Sequence, residues 1–454
     1  MQQRVIQGKR FSVIGAARSG IAVARLLKAR GAEVFVSDQA AATKMQPVIA
    51  ELEKLHVAYE FGGNTSKVLD ADVVVLSPGV PSDSRIVVQA KGAGRSVVSE
   101  IEAASWFCPG PIVAITGTNG KTTTTTLVGR IFEDAKKPAM VAGNIGLAFS
   151  QVVDQVTEQS TAILEVSSFQ LDHIETFRPK VAVWLNVTPD HLDRYENNYE
   201  KYIAAKRRVF ENQRRGDTLV YNADDEVEAV HVHQRINADV TLLPFSTRKQ
   251  LEVGAFVDQG MVKARVRGRE SDVIPVKDIS IPGEHNLSNA LAAVLVSQVM
   301  GVSTASIRAT LKNFKGVEHR LEFVQSVQGV SYVNDSKATN VDSVWYALQS
   351  FESPIVLLLG GRDKGNDYSR LVDLVRKHVK AIVAIGESVG KVVDAFSTIT
   401  QVTTASDMKA AVQAAASLAA VGDVVLLSPA CASFDWFENY EHRGRVFKEL
   451  VRAL

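Results

Sequence analysis

The sequence predicts an α/β protein of three domains built on parallel sheets. Three observations carry that expectation. The chain has 454 residues, and at ~150 residues per domain this length points to three cores. Short Val/Ile/Leu runs alternate with helical patterns toward both ends of the chain, the rhythm of strand–helix–strand units. Several of those runs end in Gly-, Ser- or Asn-rich turns that open directly into a helix. The expected divisions are 1–99, 100–316 and 317–454.

In the first domain, Arg10–Ile14 reads as a strand, Gly20–Ala29 as a helix with Ile21, Ala24 and Leu27 on successive turns, and Glu33–Ser37 as a second strand reaching Asp38. A third strand, Asp72–Leu76, runs into Ser77-Pro78-Gly79-Val80-Pro81. This predicts a parallel sheet with covering helices. The turn Gly15-Ala16-Ala17-Arg18-Ser19-Gly20 resembles a dinucleotide fingerprint, which makes the domain Rossmann-like. Ala17 replaces the middle glycine and hinders the closest backbone approach to a pyrophosphate. The reading favours another nucleotide diphosphate at the helix end over NAD, with a ligand-free tight turn as the bland alternative.

The second domain holds the stretch on which the function turns. Ile112–Ile115 is a strand, Gly117-Thr118-Asn119-Gly120-Lys121-Thr122 a glycine turn, and Thr123 onward a helix carrying Leu127, Val128 and Ile131. Strand, glycine turn and helix are the setting of a phosphate loop. Its backbone N–H groups and helix N-terminus attract anions, Lys121 supplies a charge for the β/γ-phosphates, and the Thr122 hydroxyl reaches Mg²⁺. Ile115 stands where the usual pattern has its first glycine. The loop is read as an ATP site rather than a turn with a solvated lysine.

Gly143-Asn144-Ile145-Gly146 forms a turn, and the strand Thr161–Leu164 delivers Glu165 to the same sheet edge. A carboxylate there is placed to hold Mg²⁺, the alternative being a helix-capping acid before Ser167-Ser168. The strand Val181–Leu185 ends in Asn186-Val187-Thr188-Pro189-Asp190-His191 on that edge too. In the helical segment Tyr199–Phe210, Lys206 sits amid the apolar stripe of Tyr202, Ile203, Val209 and Phe210. A lysine so placed must find a partner, lose its proton, be chemically changed, or snorkel its head group to water. Residues 217–282 carry short strands (Thr218–Tyr221, Val240–Leu243, Val262–Arg265), an added small β-sheet. Asn286 and Asn289 then share a face near the start of the helix Leu287–Met300. Paired amides can read an adenine edge, although Asn286 can equally be a helix cap.

The third domain returns to strand and helix. Val330–Val333, Ile355–Leu359, Ala381–Ile385 and Val424–Leu427 lead respectively into Asn334-Asp335-Ser336-Lys337-Ala338-Thr339-Asn340, Gly360-Gly361-Arg362-Asp363-Lys364, Gly386, and Ser428-Pro429-Ala430-Cys431-Ala432-Ser433. This is a second doubly wound, Rossmann-like domain with polar and cationic groups at the strand ends. Cys431 lacks an evident base and reads as a packed thiol rather than a nucleophile.

Composition narrows the class. Lys and Arg number 51 against 50 Asp and Glu, a net charge of +1 that provides no field for a nucleic acid. Two cysteines, Cys108 and Cys431, are too few and too scattered for a disulfide framework or a zinc site. The chain runs from Met1 almost directly into a strand, and no window is long enough to span a membrane. A cytoplasmic, monomeric enzyme without membrane insertion is expected.

Several of these motifs together resemble the Mur ligase family. They are Gly117–Thr122, Gly143–Gly146, Glu165-Val166-Ser167-Ser168-Phe169-Gln170-Leu171, Asn186 with Asp190-His191, Gly283–Asn289, Glu318-His319-Arg320 and Asn334–Asn340. The Ser77-Pro78-Gly79 turn and Leu427–Ser433 most resemble the D-glutamate-adding branch. The resemblance implies an N-terminal UDP-sugar domain, a central P-loop ATPase-like domain and a C-terminal amino-acid domain. It also implies ATP-dependent ligation of D-glutamate to UDP-N-acetylmuramoyl-L-alanine through an acyl phosphate, for peptidoglycan and hence cell shape and division.

By resemblance, Gly117, Thr118, Asn119, Gly120, Lys121, Thr122, Thr123, Asn286, Asn289, Arg320 and Asp335 would hold ATP. Thr122 and Glu165 would hold a first Mg²⁺, His191 with Lys206 as a carbamate from CO₂ would bind a second, and Asn144 would contact phosphate or acyl oxygens. Gly15, Arg18, Ser19, Asp38, Ser77, Pro78, Gly79, Asn144 and Ser167 would bind the UDP substrate. Thr339, Lys364, Ser433 and Tyr440 would bind D-glutamate. A sister ligase or folylpolyglutamate synthetase would share the central motifs. An NAD-dependent oxidoreductase or a non-catalytic nucleotide sensor are the readings from other classes.

Overall fold

The computed structural model describes residues 6–235, 239–363 and 365–454. Three sheets organise them. The first comprises β1 (Arg10–Ile14), β2 (Glu33–Asp38), β3 (Ala58–Phe61), β4 (Val73–Leu76) and β5 (Ser96–Ser99). They lie in the order β3-β2-β1-β4-β5, all parallel. Helix Arg18–Ala29 covers this sheet with a fully apolar inner face, Val23, Ala24 and Leu27 being sealed from solvent. The short strands β3 and β5 carry no apolar run long enough to announce them in the sequence.

The second sheet comprises β6 (Ile112–Thr116), β7 (Ala139–Gly143), β8 (Thr161–Glu165), β9 (Val181–Trp184), β10 (Thr218–Asn222), β11 (Thr241–Ser246), β12 (Gly254–Asp258), β13 (Met261–Val266) and β14 (Arg269–Pro275). Its order is β14-β13-β12-β11-β10-β9-β6-β8-β7. The pairing is parallel from β7 through to β12, and β13 alone runs against the rest, pairing antiparallel with both β12 and β14. The small sheet expected over 217–282 thus continues the central sheet instead of standing beside it. Strands β6, β8 and β9 are buried along their length, as parallel strands covered on both faces must be. Their C-terminal ends present the phosphate loop, Glu165 and the Asn186–His191 loop side by side.

The first two sheets belong to one compact unit, Met1–Ile279 with Leu287–Asn313. Helix Glu100–Ser105, which follows β5 and leads into the second sheet, is held to that sheet's connections by Glu102. Its fully buried carboxylate accepts the amides of Glu175, Thr176 and Phe177 at 2.7–3.0 Å, the Thr176 hydroxyl at 2.6 Å and the Trp106 indole N–H at 2.8 Å. Glu100 accepts the Ser150 amide at 2.6 Å close by.

The second unit is Ser280–Asn286 with Phe314–Leu454. Its sheet comprises β15 (Glu322–Val327), β16 (Val330–Asn334), β17 (Ile355–Gly360), β18 (Val379–Ile385), β19 (Gln401–Thr404) and β20 (Val424–Leu427), in the order β15-β16-β20-β17-β18-β19. Only β15 is antiparallel. No helix among the described residues is long and apolar enough to cross a membrane.

Candidate active site

The phosphate loop is held by the loop that follows β9. Asn186 accepts the Asn119 amide through Oδ1 at 2.8 Å and donates through Nδ2 to the Asn119 carbonyl at 3.1 Å. Thr118 Oγ1 donates to the Thr188 carbonyl and accepts the Thr188 amide, both at 3.0 Å. Gly120, with φ +83°, caps the helix Lys121–Asp134. A Cβ there would stand 2.2 Å from Asn289 Oδ1, so the position admits glycine alone. Asn289 also accepts the Thr124 hydroxyl at 3.2 Å. Lys121 Nζ folds back onto the Gly117 and Thr118 carbonyls at 2.8 and 2.7 Å. Thr123 Oγ1 is buried with no hydrogen-bond partner among the described residues.

Glu165 ends β8 buried, 2% exposed. Thr122 Oγ1 donates to its Oε2 at 2.7 Å and Asn144 Nδ2 to its Oε1 at 3.1 Å. The capping role considered for it belongs to Ser167, which forms a reciprocal capping box with Gln170. Lys206 is buried to its tip, 1% exposed, which excludes the snorkelling alternative. Its Nζ donates to the Gly117 carbonyl at 2.7 Å and lies 4.6 Å from the Tyr202 ring centre. Burial first, then the Lys121 charge, push its pKa well below the ordinary lysine value. His191 takes a left-handed backbone, φ +52°, with Nε2 3.7 Å from Asp190 and its ring edge-on to Phe169.

A cavity of about 440 Å³ opens at the C-terminal edge of the first sheet. Gly15, Arg18, Ser19, Asp38, Ser77, Pro78, Gly79 and Asn144 line it, together with Gln39 and Asn64, which the sequence reading did not single out. Ser167 is not among its lining residues. Gly20 stays glycine because a Cβ would fall 1.8 Å from the Gly15 carbonyl oxygen. Asp38 spends its carboxylate on the fold, accepting the amides of Ala16 at 2.6 Å and Ala40 at 2.7 Å. The ribose contact of an NAD site would compete with those bonds.

The second unit gathers a separate polar cluster. Asn286 does not cap its helix, Glu284–Val299; its Nδ2 donates to the Pro282 carbonyl at 2.7 Å. Asp335 is buried and accepts the Ser428 hydroxyl at 2.8 Å and the Leu321 amide at 3.2 Å. Burial raises its pKa to about 6 against the lowering charge of Arg320. Thr339 is half-buried, Ser433 buried, and Tyr440 opens helix Tyr440–Arg452 with Lys337 Nζ 5.2 Å from its ring centre. Lys364 lies outside the described residues.

Sequence reasoning passed over Arg443. Its buried guanidinium donates to the Ser336 hydroxyl and carbonyl and to the Cys431 and Ala432 carbonyls at 2.8–3.3 Å, tying the loops after β16 and β20 together. An arginine in a polar helix carries no local signal of burial. Cys431 is packed as expected, accepting from Asn366 at 3.2 Å with its thiol pKa raised by burial. Glu318, His319 and Glu322 cluster within metal-binding reach, but Lys448 pairs with both acids at 2.5 and 2.9 Å.

Comparison with known proteins places these features. Residues 9–99 match the model of the MurD-like Mur ligase N-terminal domain, 115–297 the Mur ligase middle domain, and 319–431 the Mur ligase glutamate ligase domain. The UDP-N-acetylmuramoylalanine–D-glutamate ligase of Salinibacter ruber is 50% identical over 99% of each chain. The enzyme of the same name from Chloroherpeton thalassium is 45% identical over the whole of both. Among solved structures, the UDP-N-acetylmuramate–alanine ligase of Thermotoga maritima has the same fold (TM-score 0.60, 20% identity, 98% of this chain and 99% of that one). So does the MurF ligase of Thermotoga maritima in complex with ADP (TM-score 0.60, 16% identity, 93% and 96%).

Proposed function

The chain belongs to the Mur ligase family, and from that premise we propose that it joins D-glutamate to UDP-N-acetylmuramoyl-L-alanine with ATP, releasing ADP and phosphate, in peptidoglycan precursor synthesis. The observation that carries the chemistry is the junction of Thr122, Asn144 and Glu165 at the edge where Lys121 caps the phosphate loop. The substrate carboxylate attacks the γ-phosphorus of ATP, and ADP leaves. The D-glutamate amine then attacks the acyl phosphate, and the tetrahedral species expels phosphate to leave an amide. No protein nucleophile is required, so the work is positioning and charge neutralisation.

Lys121 swings from the loop carbonyls to the phosphates, and the amides of Gly117–Thr122 cradle them. Thr122 and Glu165 form a hard oxygen donor set, the buried carboxylate being held by a hydroxyl and an amide rather than a cation, which suits Mg²⁺. Bound there, Mg²⁺ supplies neutralisation of the transferring phosphoryl oxygens. His191 and the carbamate of Lys206 would hold a second Mg²⁺. The neutral Lys206 amine favoured by burial attacks CO₂, an N–C bond forms, a proton leaves to solvent, and an anionic carbamate remains. Asn286, Asn289, Arg320 and Asp335 take the adenosine. The 440 Å³ cavity takes the uridine diphosphate portion, with Ser167 toward the sugar. Thr339, Lys364, Ser433 and Tyr440 take D-glutamate. Domains at 1–99, 100–316 and 317–454, a monomeric state and a cytoplasmic location complete the reading. The test is ADP release across a panel of amino acids and UDP-muramoyl acceptors. Turnover confined to D-glutamate with the alanyl nucleotide is expected, and preference for another amino acid would overturn the assignment.

A further inference from the structure

A second, larger cavity of about 750 Å³ lies in the first unit and shares no lining residue with the cavity at the first sheet. One wall comes from the N-terminal segment bearing Lys91, the other from helix Tyr199–Arg207 and the loops before and after it. Its floor is apolar, made by Tyr195, Ala205 and Phe210, each at least nine-tenths buried. Its walls carry five cations, and three are already engaged. Lys201 pairs with Glu196 at 2.5 Å. Arg208 pairs with Glu211 at 2.6 Å and donates to the Asp172 and Ile174 carbonyls. Arg194 donates to the Gly79 and Val80 carbonyls and lies 4.6 Å over Phe169. Lys91 and Arg207 enter none of the ion pairs formed among the described residues. Of the four acids lining it, Glu196 and Glu211 are held in those pairs, Asp172 is turned to the Tyr195 hydroxyl at 2.9 Å, and Asp83 enters no ion pair formed among the described residues.

We propose that this cavity is a binding site for a small organic anion with an aromatic body and a phosphate or carboxylate group, separate from the substrate and nucleotide sites. The aromatic body packs on Tyr195 and Phe210, and Lys91 and Arg207 meet the charge. The site adjoins the reaction centre. Arg207 follows Lys206 on the same helix, and the Tyr195 ring meets the Tyr202 ring at 5.4 Å. Tyr202 Oη in turn lies 3.2 Å from Thr118 Oγ1 of the phosphate loop. Arg194, from this cavity's wall, holds the Gly79–Val80 turn that also lines the substrate cavity.

The test is calorimetric titration of the full chain with 1-naphthyl phosphate, with Mg²⁺, a non-hydrolysable ATP analogue and the UDP substrate all saturating. One saturable site is expected to remain. In Lys91→Ala/Arg207→Ala its affinity falls by about ten-fold or more, as loss of charge-assisted contacts requires. The variant's kcat without the probe stays within about two-fold of the parent, as for surface changes. Inorganic phosphate and 1-naphthol each bind more weakly than the combined probe. The proposal is overturned by loss of the site under saturating substrates, by equal binding to the double variant, or by 1-naphthol binding as tightly as its phosphate.

Discussion

Replacing Asp172 with asparagine should expose an acid lability that the neighbouring His173 confers on the fold. His173 is 5% exposed, with Nε2 2.8 Å from the Ser82 hydroxyl. Burial, then the Lys91 and Arg208 charges, lower its pKa from 6.5 to about 4. Between those values the unfolded chain binds a proton that the folded chain refuses, so stability falls as pH falls through the window. The gap is worth ~3 kcal/mol. Asp172 acts in the opposite sense. Burial raises its pKa from 3.8 to about 6, against the lowering effects of the Tyr195 hydroxyl, Arg208, Lys91 and Arg194. There the folded chain holds a proton that the unfolded chain has lost, so stability rises by ~3 kcal/mol as pH falls from about 6 to 3.8. The two contributions nearly cancel in the parent protein. Asp172→Asn should therefore lose ~3 kcal/mol more than the parent between pH 6.5 and 4, and His173→Gln should lose about that much less. Urea unfolding followed by circular dichroism at stepped pH reads the differences. Parallel pH–stability curves for all three proteins would refute the reasoning.

Lys121→Ala should lower ligation by ~10²–10³-fold or more while the circular dichroism spectrum is kept, because a donor to the transferring phosphate is lost. Near-normal turnover in the folded variant contradicts the ATP site. Gly120→Ala places a Cβ 2.2 Å from Asn289 Oδ1 on a left-handed backbone whose strain alone costs ~1–2 kcal/mol. Binding of a fluorescent ATP analogue should weaken by about ten-fold or more, and unchanged affinity shows that the loop can relax. Lys206→Ala should lose most activity and regain part of it with short carboxylic acids. An unmodified Lys206 ammonium in a high-resolution map of the active Mg²⁺-bound enzyme would rule out the carbamate.

What the sequence makes legible is what is local. The phosphate loop, Glu165 and Lys206 each follow from spacing within a dozen or so positions, but whether the Lys206 head group is buried or snorkels to water is decided only by the fold. The Asn289–Gly120 contact joins positions far apart in the chain, so only the fold reveals why that glycine is required. Asp38 has the position of a ribose ligand but holds its own turn, a distinction made by backbone amides that no side-chain pattern encodes. Strands β12 and β14 escaped notice because their apolar runs, Ala255–Val257 and Val273–Ile274, span only two or three residues between polar or turn positions. Arg443 escaped because its five donors are satisfied by carbonyls and a hydroxyl, with no acidic partner to betray it.

The clasp made by Glu102 has a practical consequence for anyone cutting this protein into pieces. A cut after residue 99 keeps Glu102 and the 175–177 backbone together in one piece, but strips helix Glu100–Ser105 of the apolar partners that Ala103 and Trp106 meet in the first sheet's core. Such fragments should be protease-sensitive at the Glu102 seam, where the intact chain resists. The cavity lined by Gly15, Ser77 and Asn144 draws its walls from both sheets of the first unit. A cut between those sheets removes one of its walls, so ligands meant for this cavity should be screened on the intact chain.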